Sequence, residues 1–250
     1  MIKLQELLEV SVKENTQKWQ VFSSSTLKVM ACLFMLIDHV GAEIFTDIEV
    51  LRLVGRLAYP VFAYLIAEGC KYTKNKFRYF VNIFTLGVFC EAVYICFSGE
   101  YYGNILLTFS LSVLMIYAMQ NVKEAYAFER ATSIAIFVLS VILTYIISST
   151  IGVDYGFWGA VAPLFPALCD HIKLPERLNV LNIKAAAFFI GLLLIAADIG
   201  GNQWLSLWEV ILLFMYNVKR GNNRLKYAFY IFYPVHLALI GIISMIIKNA

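Results

Sequence analysis

An aspartate and a histidine, Asp38 and His39, lie side by side within an apolar segment near the N-terminus. A charged side chain inside a membrane span costs several kcal/mol, which makes it a functional candidate by default. A neutral histidine there can act as a general base. Neighbouring helical residues point about 100° apart, so Asp38 is predicted to pair with a cation on another helix rather than to orient His39. A hydrogen-bonded structural histidine is the alternative interpretation.

A lysine, Lys28, precedes His39 by eleven residues. On an α-helix this separation returns to within about 20° of the same face and covers about 16 Å along the axis. The pair would suit a long ligand whose anionic tail lies at the membrane surface while its reactive group reaches the interior. A lysine that extends from a helix end to the lipid headgroups is the alternative.

Two arginines, Arg52 and Arg56, are four residues apart in the next apolar segment and therefore share one helix face. Guanidinium groups in such a segment need anionic partners. Those partners could be the carboxylates of Asp38, Glu68 or Glu91, or a ligand that bears phosphate. We expect a mixed role in buried pairing and site electrostatics, with purely structural ion pairing as the alternative.

A second histidine, His236, lies in the last apolar segment, three residues after Tyr233 and on the same helix face. It is predicted to face the same cavity as His39, with a packing role as the alternative. Glu91 lies deep in the third apolar segment and is the stronger acidic candidate. Glu68 lies near a segment end, where a carboxylate reaching the headgroups is the alternative.

The composition indicates the elements that must position these residues. Of 250 residues, 61% are hydrophobic and only 15% are charged, with a mean hydropathy of +0.74. So few charges cannot cover a soluble protein of this size, and we predict an all-α, polytopic membrane helical bundle. Nine apolar segments approach the length of a span: Leu27–Phe45, Leu51–Cys70, Phe80–Phe97, Asn104–Met119, Ala131–Ser149, Tyr155–Leu168, Lys184–Ile199, Trp204–Val218 and Tyr227–Ile247.

The connections between these segments alternate in charge. Lysines and arginines occur before the first segment and in every even-numbered connection, whereas the odd-numbered connections contain none. These connections or their edges hold Asp47, Glu49, Glu100, Asp154 and Asp198. Basic connections face the cytoplasm, so we predict a protein of the cytoplasmic membrane with a cytoplasmic N-terminus. Residues 1–26 are predicted to form a cytoplasmic or interfacial amphipathic segment, or else a loose tail. The membrane domain would comprise residues 27–250.

The pattern also argues against other classes. The five cysteines show no metal-type Cys-x-x-Cys spacing, so we expect no metal. The basic loops are explained by topology, and nothing else indicates a nucleic-acid partner.

Several blocks of residues are typical of a known family. The most specific blocks are Leu27-Lys28-Val29, Met35-Leu36-Ile37-Asp38-His39-Val40-Gly41-Ala42, Leu51-Arg52-Leu53-Val54-Gly55-Arg56-Leu57-Ala58-Tyr59-Pro60-Val61-Phe62-Ala63 and Phe229-Tyr230-Ile231-Phe232-Tyr233-Pro234-Val235-His236-Leu237. The chain resembles the TraX family over about residues 27–240. The family's named member acetylates the N-terminus of a conjugative pilin. Related transmembrane acyltransferases carry a Lys/Arg-x10-His pattern, which Lys28 and His39 satisfy.

The resemblance implies an acyltransferase that takes acetyl-CoA from the cytoplasm and acetylates an amine or hydroxyl of an exported or membrane-associated acceptor, such as a pilin or another peptide. The implied catalytic residues are His39, Asp38, His236 and Arg56. The implied residues for acetyl-CoA are Lys28, Arg52, Arg56 and Lys74. The implied residues for the acceptor are Glu68, Glu91 and Tyr233.

Two other functions remain open at this point. The buried charges could form the substrate or proton path of a transporter, although we see none of the repeated halves that transporters often have. The chain could also be a structural or assembly subunit. Within the acyltransferase hypothesis, a transient acetyl-imidazole is the alternative to direct transfer.

Overall fold

The computed structural model describes residues 18–170, 179–222 and 225–249, and these residues are almost entirely helical. The predicted amphipathic segment falls mostly on residues 1–17, which lie outside the described residues. The helices, numbered along the chain, are α1 Ser24–Glu43, α2 Glu49–Gly55, α3 Ala58–Tyr72, α4 Lys76–Ser98, α5 Ile105–Glu124, α6 Arg130–Thr150, α7 Gly156–Val161, α8 Leu164–Cys169, α9 Val180–Ile199, a 3₁₀ helix Gly201–Glu209, α10 Val210–Phe214 and α11 Leu225–Asn249.

Seven candidate membrane spans occur in the described part of the chain. They coincide with seven of the nine predicted segments, and α2 and α3 together form one of them. The predicted segment Tyr155–Leu168 forms two short helices, and Trp204–Val218 forms the 3₁₀ helix followed by one short turn of α-helix. The described residues therefore confirm the all-α class and contain seven helices long and apolar enough to span a membrane, whereas the count of nine spans is not confirmed.

The second span is broken at Arg56 and Leu57, and Pro60 lies in the first turn of α3. Proline has no N–H to donate to the carbonyl four residues earlier, and its ring crowds that carbonyl. That carbonyl belongs to Arg56, which explains why α2 ends there.

The even-numbered connections meet at one end of the bundle. The ammonium of Lys71 lies 2.7 Å from the carboxylate of Asp170, and Lys123 donates to the backbone carbonyl of Asp170 at 3.2 Å. The start of α1 joins them, because the backbone N–H of Ser24 donates to the carbonyl of Lys219 at 2.8 Å. We call this the basic end.

The odd-numbered connections meet at the opposite end. The backbone N–H of Asp154 donates to the carbonyl of Gly103 at 2.6 Å, and the hydroxyl of Ser244 donates to the carbonyl of Glu43 at 3.2 Å. This region, which also holds Glu100, is the acidic end. The grouping of the loops follows the alternation of charge in the sequence. The segment that contains α7 and α8 joins the two ends, although neither helix is long.

Candidate active site

The two membrane histidines form a direct hydrogen-bonded pair. The Nδ1 atom of His39 on α1 lies 2.8 Å from the Nε2 atom of His236 on α11, and the two rings are within 3° of parallel. The Nδ1 atom of His236 lies 2.8 Å from the backbone carbonyl of Phe232. His236 therefore contacts the ring of His39, but it lines neither of the two cavities that His39 borders, so the predicted shared cavity is not found.

This geometry fixes the tautomers of both rings. A carbonyl oxygen can only accept, so the Nδ1–H of His236 donates to Phe232. In a neutral His236 the Nε2 atom must then accept, and the Nδ1–H of His39 is its donor. The remaining nitrogen of His39, Nε2, therefore carries a lone pair. A ring held in this way can receive a proton.

Asp38 pairs with an arginine of the neighbouring helix, as the sequence predicts. Its Oδ2 atom lies 2.6 Å from the guanidinium of Arg52, which also donates to the Asp38 backbone carbonyl at 3.2 Å. The carboxylate packs directly on Gly55, where a Cβ atom would overlap it. Glycine at this position therefore allows α2 to approach α1. Asp38 does not orient His39.

A small cavity of about 40 Å³ lies beside His39 and Arg56. Asp154 and Tyr155 line it, and neither was singled out as a site residue from the sequence. The ring of Tyr155 stacks on that of Tyr59 at 4.2 Å, and its backbone has φ of 61°. A non-glycine residue in this region is uncommon and marks a constrained position.

The carboxyl of Asp154 has a perturbed affinity for protons. Burial raises its pKa from 3.8 to about 6, although the positive charge of Arg56 acts in the opposite direction. The guanidinium of Arg56 also lies 6.0 Å from the centre of the Tyr155 ring. The guanidinium of Arg56 thus lies near the Asp154 carboxyl and the Tyr155 ring, at the edge of the small cavity.

A large cavity of about 540 Å³ also borders His39. Arg52 lines it, and it extends to the acidic end, where Glu43 and Glu100 form part of its wall. The residues that line both cavities are His39, Tyr102 and Tyr233. His39 therefore lies at the junction of a small and a large space, which is where a base could act between two substrates.

Three predicted site residues lie elsewhere. Glu68 forms a buried salt bridge of 2.6 Å with Lys184 towards the basic end. Lys28 lies 5.8 Å from the centre of the Phe229 ring, and Lys74 is exposed in the connection after α3. None of the three lines either cavity. The structure brings His39, His236, Asp38, Arg52, Arg56 and Tyr233 together, but not Glu68, Lys28 or Lys74.

Neither of the two cavities beside His39 extends along the predicted path as far as Lys28. Met35, one helical turn before His39, lines the small cavity, as does Phe62 on α3. These two side chains form the end of the small cavity that is nearest to the basic end. Seven residues, or about 10 Å of helix, separate Met35 from Lys28.

The last predicted site residue, Glu91, accepts hydrogen bonds from backbone N–H groups. Its Oε1 atom accepts from the backbone N–H of Tyr102 at 2.6 Å, and its Oε2 atom accepts from that of Asn104 at 2.9 Å. It does not line either cavity. Among the described residues, no group of three or more His, Cys, Asp or Glu side chains could hold a metal ion.

Comparisons with known proteins identify a family and two relatives. The family model described as TraX protein matches residues 23–244. The probable fimbrial assembly protein FimC, serogroup H1, of Dichelobacter nodosus is 26% identical over 258 residues, which cover 91% of this chain and 98% of that protein. An uncharacterized protein of Rickettsia prowazekii (strain Madrid E) is 28% identical over 152 residues, covering 61% of this chain and 58% of that protein. No solved structure matches the chain. Since the family model covers most of its length, the chain belongs to the TraX protein family.

Proposed function

We propose that this protein is a membrane acyltransferase that moves an acetyl group from acetyl-CoA to an amine or hydroxyl of a membrane-associated acceptor. The observation that carries the proposal is the hydrogen-bonded series from the Phe232 carbonyl through His236 to His39. This series leaves the Nε2 atom of His39 as a proton acceptor at the junction of two cavities.

The reaction can be written with the residues of the site. The acceptor nitrogen or oxygen attacks the thioester carbonyl while the Nε2 atom of His39 takes its proton. The positive charge of Arg56, beside the small cavity, stabilises the oxyanion that develops. Collapse of this intermediate breaks the carbon–sulfur bond, and the thiolate of CoA leaves with the proton that His39 received.

The volumes of the two cavities suit the two substrates. A cavity needs a volume of roughly 10–15 Å³ to hold one water molecule. The small cavity of about 40 Å³ therefore has room for a group of about three atoms. An acetyl group has three non-hydrogen atoms. The large cavity of about 540 Å³ is the better place for an acceptor, which would enter from the acidic end.

The donor would then approach from the basic end. Loops rich in lysine and arginine face the cytoplasm, where acetyl-CoA is made. Lys28 and Lys74 would attract its phosphates, and the acidic end would face the outside. This route requires Met35 and Phe62 to move when the donor binds. Methionine is flexible enough to do so.

The acceptor is proposed by analogy with the relative from Dichelobacter nodosus, whose name refers to fimbrial assembly. A subunit of a surface fibre is an exported peptide with a free amine, and it would reach the cavity from the membrane. The transporter alternative needs a path through the bundle. Neither of the two cavities is lined by the basic residues Lys28 and Lys74.

The proposal is tested with purified protein in nanodiscs, acetyl-CoA and a panel of amine- and hydroxyl-bearing acceptors, by following thiol release and acetylated product. His39→Asn keeps a side-chain N–H that can donate to His236 but lacks the proton acceptor at the Nε2 position. Since general-base catalysis contributes roughly 100- to 10,000-fold, the variant should lose transfer by that factor.

A matched control is Arg78→Ala, which removes a charge from an exposed position at the basic end. It should retain activity and a similar melting temperature. Wild-type protein that fails to release CoA with every acceptor, or His39→Asn protein that transfers at the wild-type rate, would contradict the proposed function.

A further inference from the structure

The third-span carboxylate, Glu91, is buried and deep in the bundle, yet it touches neither cavity. A charged group in this place needs strong partners. Its partners are all in the connection between α4 and α5. Besides the backbone N–H groups of Tyr102 and Asn104, it accepts from the N–H of Gly103 at 3.0 Å and from the side-chain amide of Asn104 at 2.7 Å. Four donors thus converge on one carboxylate.

The connection that Glu91 holds is part of the site. Gly103 adopts φ of +73°, and its carbonyl accepts the backbone N–H of Asp154, the acidic residue of the small cavity. Tyr102, the preceding residue, lines both cavities. Fixing this backbone therefore fixes one wall of the site.

We infer that Glu91 is a positioning residue that holds Tyr102 as a partition between the two cavities. The inference rests on the proposed acyltransferase function. The wall common to both cavities consists of His39, Tyr102 and Tyr233. His39 and Tyr233 belong to long helices, whereas Tyr102 belongs to a connection that has no helix of its own. Glu91 holds the backbone of Tyr102, and the ring of Tyr94 on α4 packs 5.2 Å from the Tyr102 ring.

The partition has a chemical consequence for the thioester. The large cavity extends to the acidic end, where water is available. With Tyr102 in place, only an acceptor positioned at His39 meets the acetyl group. Without it, water can attack the thioester carbonyl, forming a carbon–oxygen bond and breaking the carbon–sulfur bond, so that acetate and CoA are released. Exclusion of water from a reactive intermediate is a recognised role of closed sites.

The test measures thiol release from acetyl-CoA alone, with no acceptor, for the full-length protein in nanodiscs. Tyr102→Ala removes the partition. Glu91→Gln keeps the size of the side chain but replaces one accepting oxygen with a donating amide, which cannot bind backbone N–H groups. Both variants should hydrolyse acetyl-CoA faster than the wild type, on the order of tenfold. They should acetylate an acceptor more slowly.

The matched control is Tyr101→Ala, which alters the adjacent tyrosine, a residue that lines neither cavity. Its hydrolysis rate should equal that of the wild type. Adding His39→Asn to Tyr102→Ala should abolish the extra hydrolysis, because the water still needs a base. General loosening of the fold would not produce this dependence on His39.

The outcomes separate the two proposals. Wild-type protein that acetylates an acceptor, together with Tyr102→Ala and Glu91→Gln variants whose hydrolysis is unchanged, would overturn the inference alone. Wild-type protein that transfers to no acceptor would overturn the proposed function and the inference with it. Should Glu91→Gln fail to fold, Glu91→Asp takes its place, because the shorter carboxylate keeps its charge but cannot reach all four donors.

Discussion

Two clusters of charged residues lie within the bundle, and they differ in what surrounds them. Towards the basic end, Lys184 is 2% exposed and lies 2.6 Å from Glu68 and 2.8 Å from Asp170. At the site, Arg52 pairs with Asp38 at 2.6 Å, but its side chain is 31% exposed. The first cluster borders neither of the two cavities, whereas the second lines both.

The difference teaches how to interpret charges within a membrane bundle. Both clusters satisfy the general rule that such charges are paired. Only one of them combines its charges with an available proton acceptor and with space for a ligand. From the sequence, Asp38 was assigned to catalysis and Glu68 to the acceptor, because a charge in an apolar segment does not by itself distinguish a structural ion pair from a site.

The largest effect is expected when the basic-end cluster loses its cation. Lys184→Met would leave two carboxylates, of Glu68 and Asp170, near each other without their shared partner. Breaking a buried ion pair costs about 3–5 kcal/mol, so the variant should be much less stable in thermal unfolding. The activity per folded molecule should change little, since Lys184 is not part of the site.

The matched control at the same end is Lys76→Met. Its ammonium lies 3.6 Å from Glu124, and the two side chains are 35% and 68% exposed. Exposed pairs contribute roughly 0–1 kcal/mol, so this variant should remain stable. If Lys184→Met instead kept its stability and lost activity, the basic-end cluster would have to be assigned to the active site.

At the site, the next effect should come from the partner of His39. His236→Leu removes the acceptor for the Nδ1–H of His39, so His39 no longer has a fixed tautomer. Misplacement of a catalytic group by about 1 Å can cost roughly 100-fold in rate, and we expect a loss of about 10- to 100-fold in kcat. Acetylation kinetics at saturating donor would measure it.

His236→Gln provides the comparison within the same position. The carbonyl oxygen of glutamine can accept from His39, so this variant should recover most of the activity that leucine loses. Equal losses in the leucine and glutamine variants would mean that His236 acts through its own protons, and not by orienting His39.

The membrane class of the protein could be predicted from its sequence, because the length of apolar segments follows directly from bilayer thickness. The grouping of loops at two ends also followed from Lys and Arg alone. The count of spans did not. Pro163 and Pro166 interrupt one segment, and the 3₁₀ geometry of Gly201–Glu209 depends on packing that no local pattern encodes.

The site could be predicted in its residue types but not in its contacts. Spacing along one helix pointed to His39, and a second helix supplied His236. That the two rings touch depends on how α1 packs on α11. Asp154 was missed because it lies in a short loop, where an acidic residue is ordinary. Its only signal was its position directly before Tyr155 and a glycine.

The smallest effect should come from Asp154, and it depends on pH. Its pKa in the folded protein is raised from 3.8 to about 6, so the folded state binds the proton more tightly than the unfolded state does. Stability therefore falls as pH rises through this interval, and the ionised carboxylate lowers the free energy of unfolding above about pH 6.

Asp154→Asn removes this destabilising charge. The variant should melt a few degrees above the wild type at pH 7.5, since about 1 kcal/mol shifts the midpoint by roughly 2–4 °C in a chain of this size. The difference should shrink as the pH falls from 6 towards 3.8, since the wild-type carboxyl is protonated in both states only below that value. Melting curves of both proteins in the same nanodiscs across this range would measure it, and a difference that grows as the pH falls would mean that Arg56 stabilises the Asp154 carboxylate more than burial disfavours it.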